Sequence, residues 1–280
     1  MDRRVLGKTN EKLSIIGFGG MVVANESTKD AANFVSTAID RGINYFDVAP
    51  LYGNAQEILG PALKPYRDKV FLACKTLERT KKGVKKELID SLKKLKTDYF
   101  DLYQLHSVTT LDEVDQIMGP GGAFEYFIEA KEKGFVKYLG FSAHSEDAAI
   151  ALMDIYDFIS ILFPFNWVCW FKENFGPKVL NEAHKKNMGI LALKALAMRT
   201  WEDGEEKKWP KCWYAPIDSF EEASLALRFT LSMPVTAAVS PSHVELLWWA
   251  CDIADKFKPI DEEETKILKE NAKKYNCIMV

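Results

Sequence analysis

The stretch NYFDVAPLYG, residues 44–53, decides how the rest of the chain is interpreted. It begins as an apolar strand and ends in a loop that carries one acid, Asp47, and one phenol, Tyr52. A continuously apolar strand is typical of a parallel sheet that is buried on both faces. Because the two ionisable side chains come at the carboxyl end of the strand, the stretch predicts part of an active site.

Two later stretches have the same form. FLACK, residues 71–75, and YQLH, residues 103–106, are apolar runs that end in one ionisable residue each, Lys75 and His106. The carboxyl ends of the strands of a parallel barrel meet at the same face. We therefore expect these two side chains to lie beside the acid and the phenol of the first stretch.

An apolar strand followed by an amphipathic helix recurs eight times along the chain. Strict strand-then-helix order implies right-handed crossovers, and eight such units favour a closed parallel (β/α)8 TIM barrel. Such a barrel takes about 250 residues, so a single domain over residues 1–280 is expected. Residues 2–14 predict an N-terminal hairpin cap, and residues 261–275 predict an extra C-terminal helix. The predicted strands are residues 15–20, 43–48, 70–75, 99–106, 138–143, 159–166, 189–196 and 236–240.

Composition excludes several classes of protein. The chain has 280 residues, of which 48% are apolar and 28% charged, and its formal net charge is −3. The chain has no arm rich in lysine and arginine, so a nucleic-acid partner is not expected. No apolar run reaches the roughly 18 residues of a membrane helix. The N-terminus lacks the apolar core of a signal peptide. We expect a cytoplasmic monomer or weak homo-oligomer that binds neither nucleic acid nor membrane.

Cysteine usage supports the same compartment. The five cysteines are odd in number and widely scattered, which favours reduced thiols in the cytoplasm over a disulfide framework. The chain contains no CxxC pair, so the sequence predicts no metal site.

The ordered set of Asp47, Tyr52, Lys75 and His106 resembles the catalytic tetrad of the aldo-keto reductases. The resemblance covers nearly the whole chain and is strongest over residues 44–106. It implies an oxidoreductase that reduces an aldehyde or ketone to an alcohol, with hydride from a nicotinamide cofactor.

The resemblance assigns a role to each member of the set. Tyr52 is the general acid toward the carbonyl oxygen, and His106 orients the carbonyl by a hydrogen bond. The positive charge of Lys75 lowers the pKa of the Tyr52 phenol. Asp47 keeps Lys75 charged and fixed in the dry pocket.

The resemblance also implies where the cofactor lies, extended over the ends of strands five to eight without a Rossmann glycine motif. NADP(H) is the expected cofactor on these grounds, with NAD(H) possible. The last predicted helix follows the segment SPSH, residues 240–243, whose hydroxyls and free N–H groups suit a phosphate. The candidate cofactor-binding residues are Gly19, Gly20, Met21, Asp47, Ser142, Asn166, Lys194, Ser240, Ser242 and His243.

The match to the family is looser after residue 143. Ala143 and Leu162 stand where the family commonly has Asn and Gln, and Leu193 stands where a Tyr usually stacks on the nicotinamide. Ser240 and Leu246 occupy the places of the Lys and Arg that many members use for the 2′-phosphate. Binding of the adenosine end is therefore expected to diverge from the family pattern.

Two long connections, residues 109–122 and 198–216, predict functional lids, because long loops on a compact domain are usually functional or disordered. The second connection is rich in tryptophan, which favours an ordered wall for an apolar or aromatic carbonyl substrate. The candidate substrate-binding residues are Tyr52, His106, Trp167, Trp170 and Trp201.

Taken singly, each tetrad residue has a plainer interpretation. Asp47 could cap a helix and Lys75 could be an ordinary charge at a strand end. Tyr52 could be a packing aromatic, and His106 a hydrogen-bonded core histidine. Only their joint occurrence points to catalysis.

Two other functions stay open. One is a nucleotide-binding regulatory or scaffold barrel without catalytic activity. The other is a lyase that forms a Schiff base on Lys75, which requires that lysine to be neutral.

Overall fold

A computed structural model describes residues 1–279 of the chain. The strands are β1 (Arg3–Val5), β2 (Lys12–Ser14), β3 (Ile16–Gly19), β4 (Tyr45–Asp47), β5 (Phe71–Thr76), β6 (Phe100–Val108), β7 (Val136–Ala143), β8 (Ser160–Phe163), β9 (Gly189–Ala192), β10 (Ala197–Arg199), β11 (Ala215–Pro216) and β12 (Ala237–Val239). The α-helices are α1 (Thr28–Asp40), α2 (Ala55–Leu63), α3 (Lys81–Leu95), α4 (Leu111–Met118), α5 (Ala123–Glu132), α6 (Glu146–Ile155), α7 (Trp167–Glu173), α8 (Pro177–Lys185), α9 (Phe220–Ser232), α10 (Val244–Asp255) and α11 (Glu262–Ala272). Two short 3-10 helices span Gly20–Val23 and Lys64–Lys69.

Eight of the strands close into a parallel barrel in the order β12-β3-β4-β5-β6-β7-β8-β9. Each of the eight predicted strand segments overlaps one barrel strand, so the predicted (β/α)8 TIM barrel is confirmed. The barrel strands are buried along nearly their whole length, because helices cover the outside and side chains fill the inside.

Helix α3 shows how the sequence builds the outer layer. The side chain of Thr80 accepts a hydrogen bond from the backbone N–H of Gly83 at 3.1 Å and so caps the first turn. Val84, Leu88 and Leu92 recur at helical spacing and are buried, while the lysines of the helix face solvent. The helix therefore packs one apolar stripe on the barrel.

The predicted N-terminal hairpin is present as the antiparallel pair β1–β2 and closes the amino-terminal end of the barrel. Leu6 and Leu13 insert into the interior cluster formed by inward side chains of the barrel strands. Gly189 at the start of β9 makes room for this contact, since a Cβ there would lie 2.2 Å from Cδ1 of Leu6. The barrel is thus sealed at this end and can open only at the other.

The two predicted lids are more regular than the sequence suggests. Residues 109–122 contain helix α4, which begins with a capping box between Thr110 and Glu113. Residues 198–216 fold back so that β10 and β11 pair antiparallel. Both connections are therefore ordered structures.

The predicted C-terminal helix is present as α11. It begins with a capping box between Asp261 and Glu264. None of the helices within residues 1–279 is both long and apolar enough to cross a membrane.

The expectation of five reduced thiols is wrong for two of them. Cys169 in α7 and Cys277 after α11 form a disulfide across a sequence separation of 108 residues, whereas Cys74, Cys212 and Cys251 are free and buried. Sequence spacing does not report which scattered cysteines meet in space. The disulfide fastens the end of the chain beside α7.

We predict that the thiol count depends on reduction. Alkylation in denaturant, followed by mass spectrometry, should modify three cysteines of the untreated protein and five after reduction. Because a cross-link over a long loop restricts the unfolded chain, reduction should lower the free energy of unfolding by about 2–4 kcal/mol. Cys277→Ser should show the lowered value with or without reductant. Five alkylated cysteines in the untreated protein would contradict the disulfide.

Candidate active site

A cavity of about 140 Å³ opens at the carboxyl ends of the barrel strands. Its walls come from the strand ends and from the connection between β9 and α9. The residues that line it are Gly19, Gly20, Met21, Asp47, Tyr52, Lys75, His106, Ser142, His144, Leu162, Leu193, Lys194, Ala195, Leu196, Ala197, Cys212, Trp213, Tyr214, Pro216, Val239, Ser240 and Pro241. All four residues of the predicted tetrad are among them, so the structure brings them together.

A buried ion pair forms the floor of the cavity. The ammonium of Lys75 on β5 contacts the carboxylate of Asp47 on neighbouring β4, and both side chains are about 1–2% exposed. Nζ of Lys75 also lies 3.2 Å from the hydroxyl of Tyr52. The other carboxylate oxygen of Asp47 accepts hydrogen bonds from the Tyr45 hydroxyl at 3.1 Å and the Gln104 amide at 3.2 Å. The carboxylate is therefore held by three donors.

The ion pair decides the charge of Lys75. Burial alone would lower the pKa of its ammonium, but the charge of Asp47 and its hydrogen bond raise the pKa above the ordinary value. Lys75 is consequently charged at neutral pH. A Schiff-base lyase requires a neutral amine, so this geometry does not favour that alternative.

The Tyr52 phenol behaves differently from the expectation. Its pKa is raised, because loss of hydration raises it more than the charge of Lys75 lowers it. The residue types reveal the neighbouring ammonium, but the loss of hydration depends on the folded cavity. Tyr52 therefore holds its proton firmly in this cavity.

His106 is neutral in the same cavity. Burial lowers the pKa of its imidazole well below the ordinary value, and the positive charge of Lys75 lowers it further. The imidazole is 6% exposed, and its Nδ1 has no hydrogen-bond partner among residues 1–279. Buried polar atoms are normally paired. A ligand in the cavity could supply the partner.

A second imidazole, His144, was missed by the sequence analysis. It lines the cavity just beyond β7, and its Nδ1 lies 3.0 Å from the Ser107 hydroxyl. Ser107 has a left-handed φ of 55° at an irregularity in the β6–β7 register. Burial first, and then the charges of Lys194 and Lys75, lower the pKa of His144 to about 3. The available signal was its position directly after the predicted strand 138–143, where an ionisable side chain reaches the carboxyl end of the barrel.

Six of the predicted cofactor residues, besides Asp47, line the cavity: Gly19, Gly20, Met21, Ser142, Lys194 and Ser240. The hydroxyl of Ser142 is buried and has no partner within residues 1–279, so it is free to bind a ligand. The Ser240 hydroxyl instead accepts a hydrogen bond from the backbone N–H of Gly19 at 3.0 Å. The glycines serve strand packing, because a Cβ on Gly19 would lie 2.7 Å from the carbonyl oxygen of Ser240.

Asn166 supports the wall of the cavity without lining it. Its amide N–H groups donate to the carbonyl oxygens of Lys194 at 2.9 Å and Ala197 at 2.7 Å. Its amide oxygen accepts from the backbone N–H groups of Val168 and Cys169 and caps α7. Both amide protons and the amide oxygen of Asn166 are engaged in these hydrogen bonds, so the predicted contact of Asn166 with a cofactor is not supported. Asn166 fixes the backbone that carries Lys194.

Ser242 and His243 also lie outside the lining of the cavity. Nε2 of His243 accepts a hydrogen bond from the backbone N–H of Lys211 at 3.1 Å. The Lys211 ammonium in turn donates to Glu26 at 2.7 Å. The connection between β9 and α9 is thus bound to the start of α10. It brings Lys211 close to a segment in which the sequence showed no basic residue for a 2′-phosphate.

The predicted tryptophans do not line the cavity. Trp167 packs against Tyr275, with ring centroids 6.0 Å apart, and Trp170 packs against Phe229 at 5.9 Å. Trp201 donates its indole N–H to the carbonyl oxygen of Cys212 at 2.9 Å, outside the lining.

The tryptophan-rich connection nevertheless supplies part of the wall. Trp213 and Tyr214 line the cavity, and the ring centroid of Trp213 lies 5.6 Å from that of Tyr52. The indole is 54% exposed. The sequence therefore predicted the correct connection and the wrong tryptophan.

Comparisons with known proteins identify the family of the chain and relate its fold to solved structures. The sequence model of the Aldo/keto reductase family matches residues 15–213. The uncharacterized oxidoreductase YqkF of Bacillus subtilis is 29% identical over 98% of this chain and 97% of its own length. The methylglyoxal reductase DkgA of Escherichia coli O157:H7 is 31% identical over 43% of each chain. The holo form of an aldo-keto reductase from Bacillus halodurans superposes with a TM-score of 0.74 at 24% identity, over 97% of this chain and 96% of that one, which shows the shared fold.

We predict that the two buried imidazoles make stability depend on pH. Below about pH 6.5 the unfolded chain binds protons at these histidines, whereas the folded protein does not, because burial lowers both pKa values. The free energy of unfolding should therefore fall as pH falls from 6.5 toward 5, by up to about 1.4 kcal/mol per pH unit for each imidazole.

Urea unfolding of His144→Asn at several pH values checks this. The two buried histidines make the free energy of unfolding fall between pH 6.5 and 5, and His144→Asn should lose about half of that fall. His184→Asn, at an exposed position, should keep it. An identical slope in the wild-type protein and His144→Asn would contradict the assignment.

Proposed function

The chain belongs to the aldo/keto reductase family, and we propose that the cavity at the carboxyl ends of the barrel strands is its catalytic site. The protein is an oxidoreductase that reduces an aldehyde or ketone to an alcohol with NAD(P)H. The observation that carries the assignment of the site is the Lys75 ammonium, buried between the carboxylate of Asp47 and the hydroxyl of Tyr52.

Tyr52 gives its proton to the carbonyl oxygen of the substrate. The phenolate that remains is stabilised by the Lys75 ammonium, which lies 3.2 Å from the phenolic oxygen. Burial keeps the proton on the phenol until negative charge develops on the substrate oxygen. Asp47 holds the ammonium charged and in place.

His106 orients the carbonyl. Because its imidazole is neutral, it acts as a hydrogen-bonding group and adds no further positive charge beside Lys75. Trp213 lies over the Tyr52 ring and forms the outer wall for the substrate. The substrate class is a small carbonyl compound that fits between these rings.

The cofactor supplies the hydride that no side chain can provide. The free hydroxyl of Ser142 would hold its nicotinamide end, and Gly19, Gly20 and Met21 would form the adjacent wall. We take NADPH as the preferred cofactor and NADH as the second choice. Lys211 supports this preference, since its backbone N–H donates to His243 at the N-cap of α10, and burial and then the charge of the Lys211 ammonium lower the pKa of that imidazole.

We predict that Tyr52→Phe lowers kcat by about 10²–10⁴-fold, because the variant lacks the general acid. The Kd for NADPH, followed by quenching of tryptophan fluorescence, should change little. Tyr66→Phe, on the Lys64–Lys69 helix outside the cavity, should keep the wild-type rate. Undiminished turnover by Tyr52→Phe would exclude Tyr52 as the proton donor.

We predict that the wild-type protein binds NADPH more tightly than NADH, and that Lys211→Met reduces this preference about tenfold. The reason is that the 2′-phosphate is the only group that distinguishes the two cofactors. The measurement is the ratio of the two Kd values from fluorescence titration. Lys207→Met, in the same connection, is the matched control and should keep the wild-type ratio. An equal loss of affinity for NADPH and NADH would show that Lys211 does not bind the 2′-phosphate.

A further inference from the structure

The end of the chain packs behind one wall of the cavity. The disulfide between Cys169 in α7 and Cys277 lies in a small apolar cluster. The members of the cluster are Cys169, Ala197, Cys277 and Ile278, with Phe175, Tyr214 and Met279 packed against them. Ala197 and Tyr214 also line the cavity. The segment that carries Cys277 therefore contacts the wall of the candidate active site.

Met279 extends this contact to a third lining residue. Its sulfur lies 3.2 Å from Nζ of Lys194, and the same ammonium lies 3.4 Å from the hydroxyl of Tyr214. The ammonium also stands 4.6 Å from the centroid of the Tyr214 ring. Met279 itself is not among the lining residues. The end of the chain thus supports the wall and does not fill the cavity.

Helix α7 supports the same stretch of wall from the other side of the disulfide. The backbone N–H of Cys169 donates to the amide oxygen of Asn166 at 3.2 Å. The amide N–H groups of Asn166 donate to the carbonyl oxygens of Lys194 at 2.9 Å and Ala197 at 2.7 Å. Lys194 has a left-handed φ of +62°, which a residue with a side chain rarely adopts. The disulfide therefore joins two supports of residues 194–197.

Residues 194–197 lie at the expected cofactor end of the cavity. They follow β9, which pairs in parallel with β12. Ser240 follows β12 and lines the same cavity, and both Lys194 and Ser240 are candidate cofactor-binding residues. A change in this stretch of the wall is therefore expected to act on the cofactor.

The cross-link holds residues that have few other attachments. The ammonium of Lys172 in α7 donates to the carbonyl oxygen of Tyr275 at 2.8 Å and to the amide oxygen of Asn276 at 3.0 Å. Beyond Asn276, residues 277–279 are held by the disulfide and by the apolar cluster around it. Chain ends that are not tied down open locally at little cost in free energy. Reduction is thus expected to leave α11 in place and to release residues 277–279.

We propose that Cys169 and Cys277 form a reversible thiol–disulfide site that regulates cofactor binding in the cavity. The proposal rests on the proposed function, because it takes the cavity as the cofactor site. In the disulfide form, α7 and the end of the chain together hold the wall at residues 194–197. In the dithiol form, residues 277–279 leave the wall, and NADPH binds more weakly.

A dithiol reductant drives the change. One of its thiolates attacks the sulfur of Cys277, which is 8% exposed, whereas Cys169 is completely buried. The sulfur–sulfur bond breaks, Cys169 leaves as a thiolate, and a mixed disulfide forms on Cys277. The second thiol of the reductant then attacks its own sulfur in the mixed disulfide and releases Cys277. Two electrons and two protons pass to the protein, and the reductant is left as a disulfide.

The test measures the Kd of NADPH by quenching of tryptophan fluorescence. The protein is compared after oxidation with glutathione disulfide and after reduction with dithiothreitol. Reduction should raise the Kd about tenfold, which corresponds to a wall that keeps its binding conformation about a tenth of the time. Reoxidation should restore the low value. An unchanged or lower Kd after reduction would overturn the proposal.

Two variants separate the disulfide from other effects of the reductant. Cys277→Ser cannot form the bond, so it should show the raised Kd with or without dithiothreitol. Cys251→Ser removes a free, buried cysteine of α10 and is the matched control. It should respond to reduction as the wild-type protein does. If Cys277→Ser keeps the low Kd of the oxidised wild-type protein, the disulfide does not regulate the cavity.

Hydrogen–deuterium exchange, followed by mass spectrometry, tests whether the effect is local. The backbone N–H of Ala197 donates to the carbonyl oxygen of Lys194 at 3.0 Å, and that of Ile217 donates to Leu196 at 2.9 Å, so these amides report on the wall. Within minutes, reduction should increase deuterium uptake there and in residues 277–279, whereas β4 and β5 should stay protected in both forms. An equal increase in β4, in β5 and in the wall would assign the disulfide to global stability and overturn the proposal.

The failure of this proposal is distinct from the failure of the proposed function. If both redox forms bind NADPH with the same Kd and reduce benzaldehyde, the regulatory site is wrong and the reductase remains. Five alkylated cysteines in the protein treated with glutathione disulfide would likewise overturn the regulatory site alone. If neither form binds NADPH or NADH, both proposals are overturned.

Discussion

The buried ion pair between Asp47 and Lys75 is the constraint on which the rest of the site depends. Two charges with almost no exposure are stable only where further hydrogen bonds compensate for their lost hydration. Tyr45 and Gln104 donate to the carboxylate from β4 and β6, and the Tyr52 hydroxyl is the second partner of the ammonium. The chain places these groups on neighbouring parallel strands, so the spacing of the barrel fixes the geometry of the pair. Removing any one of them would leave a charge partly uncompensated.

Much of the fold and the centre of the site could be predicted from the sequence. Eight apolar runs with helices between them leave few topologies other than a closed parallel barrel. Residues at the carboxyl ends of adjacent strands must then converge, which is why Asp47, Lys75 and His106 meet as expected. The direction of the Tyr52 pKa was not predictable, since it depends on how much hydration the folded cavity removes.

The connections resisted prediction because their contacts are set by tertiary packing and not by periodicity. Trp201 and Trp213 stand in the same segment, yet one donates to a backbone carbonyl and the other covers Tyr52. Asn166 looked like a ligand-binding side chain at a strand end, but its amide is consumed by the backbone around it. The partner of Cys169 lies far along the chain, and nothing in the spacing of the cysteines reveals it.

The hairpin that seals the amino-terminal end of the barrel has a kinetic consequence. Leu6 and Leu13 occupy the interior where a second opening would be, so the cavity communicates with solvent through one mouth. The first ligand to bind occupies the deeper part of the cavity. The second ligand then lies between the first ligand and solvent. Exchange of the deeper molecule must wait for the outer one to leave. The order in which ligands bind and dissociate is thus restricted by the contact of Leu6 and Leu13 with the barrel interior, at the end of the barrel opposite the cavity.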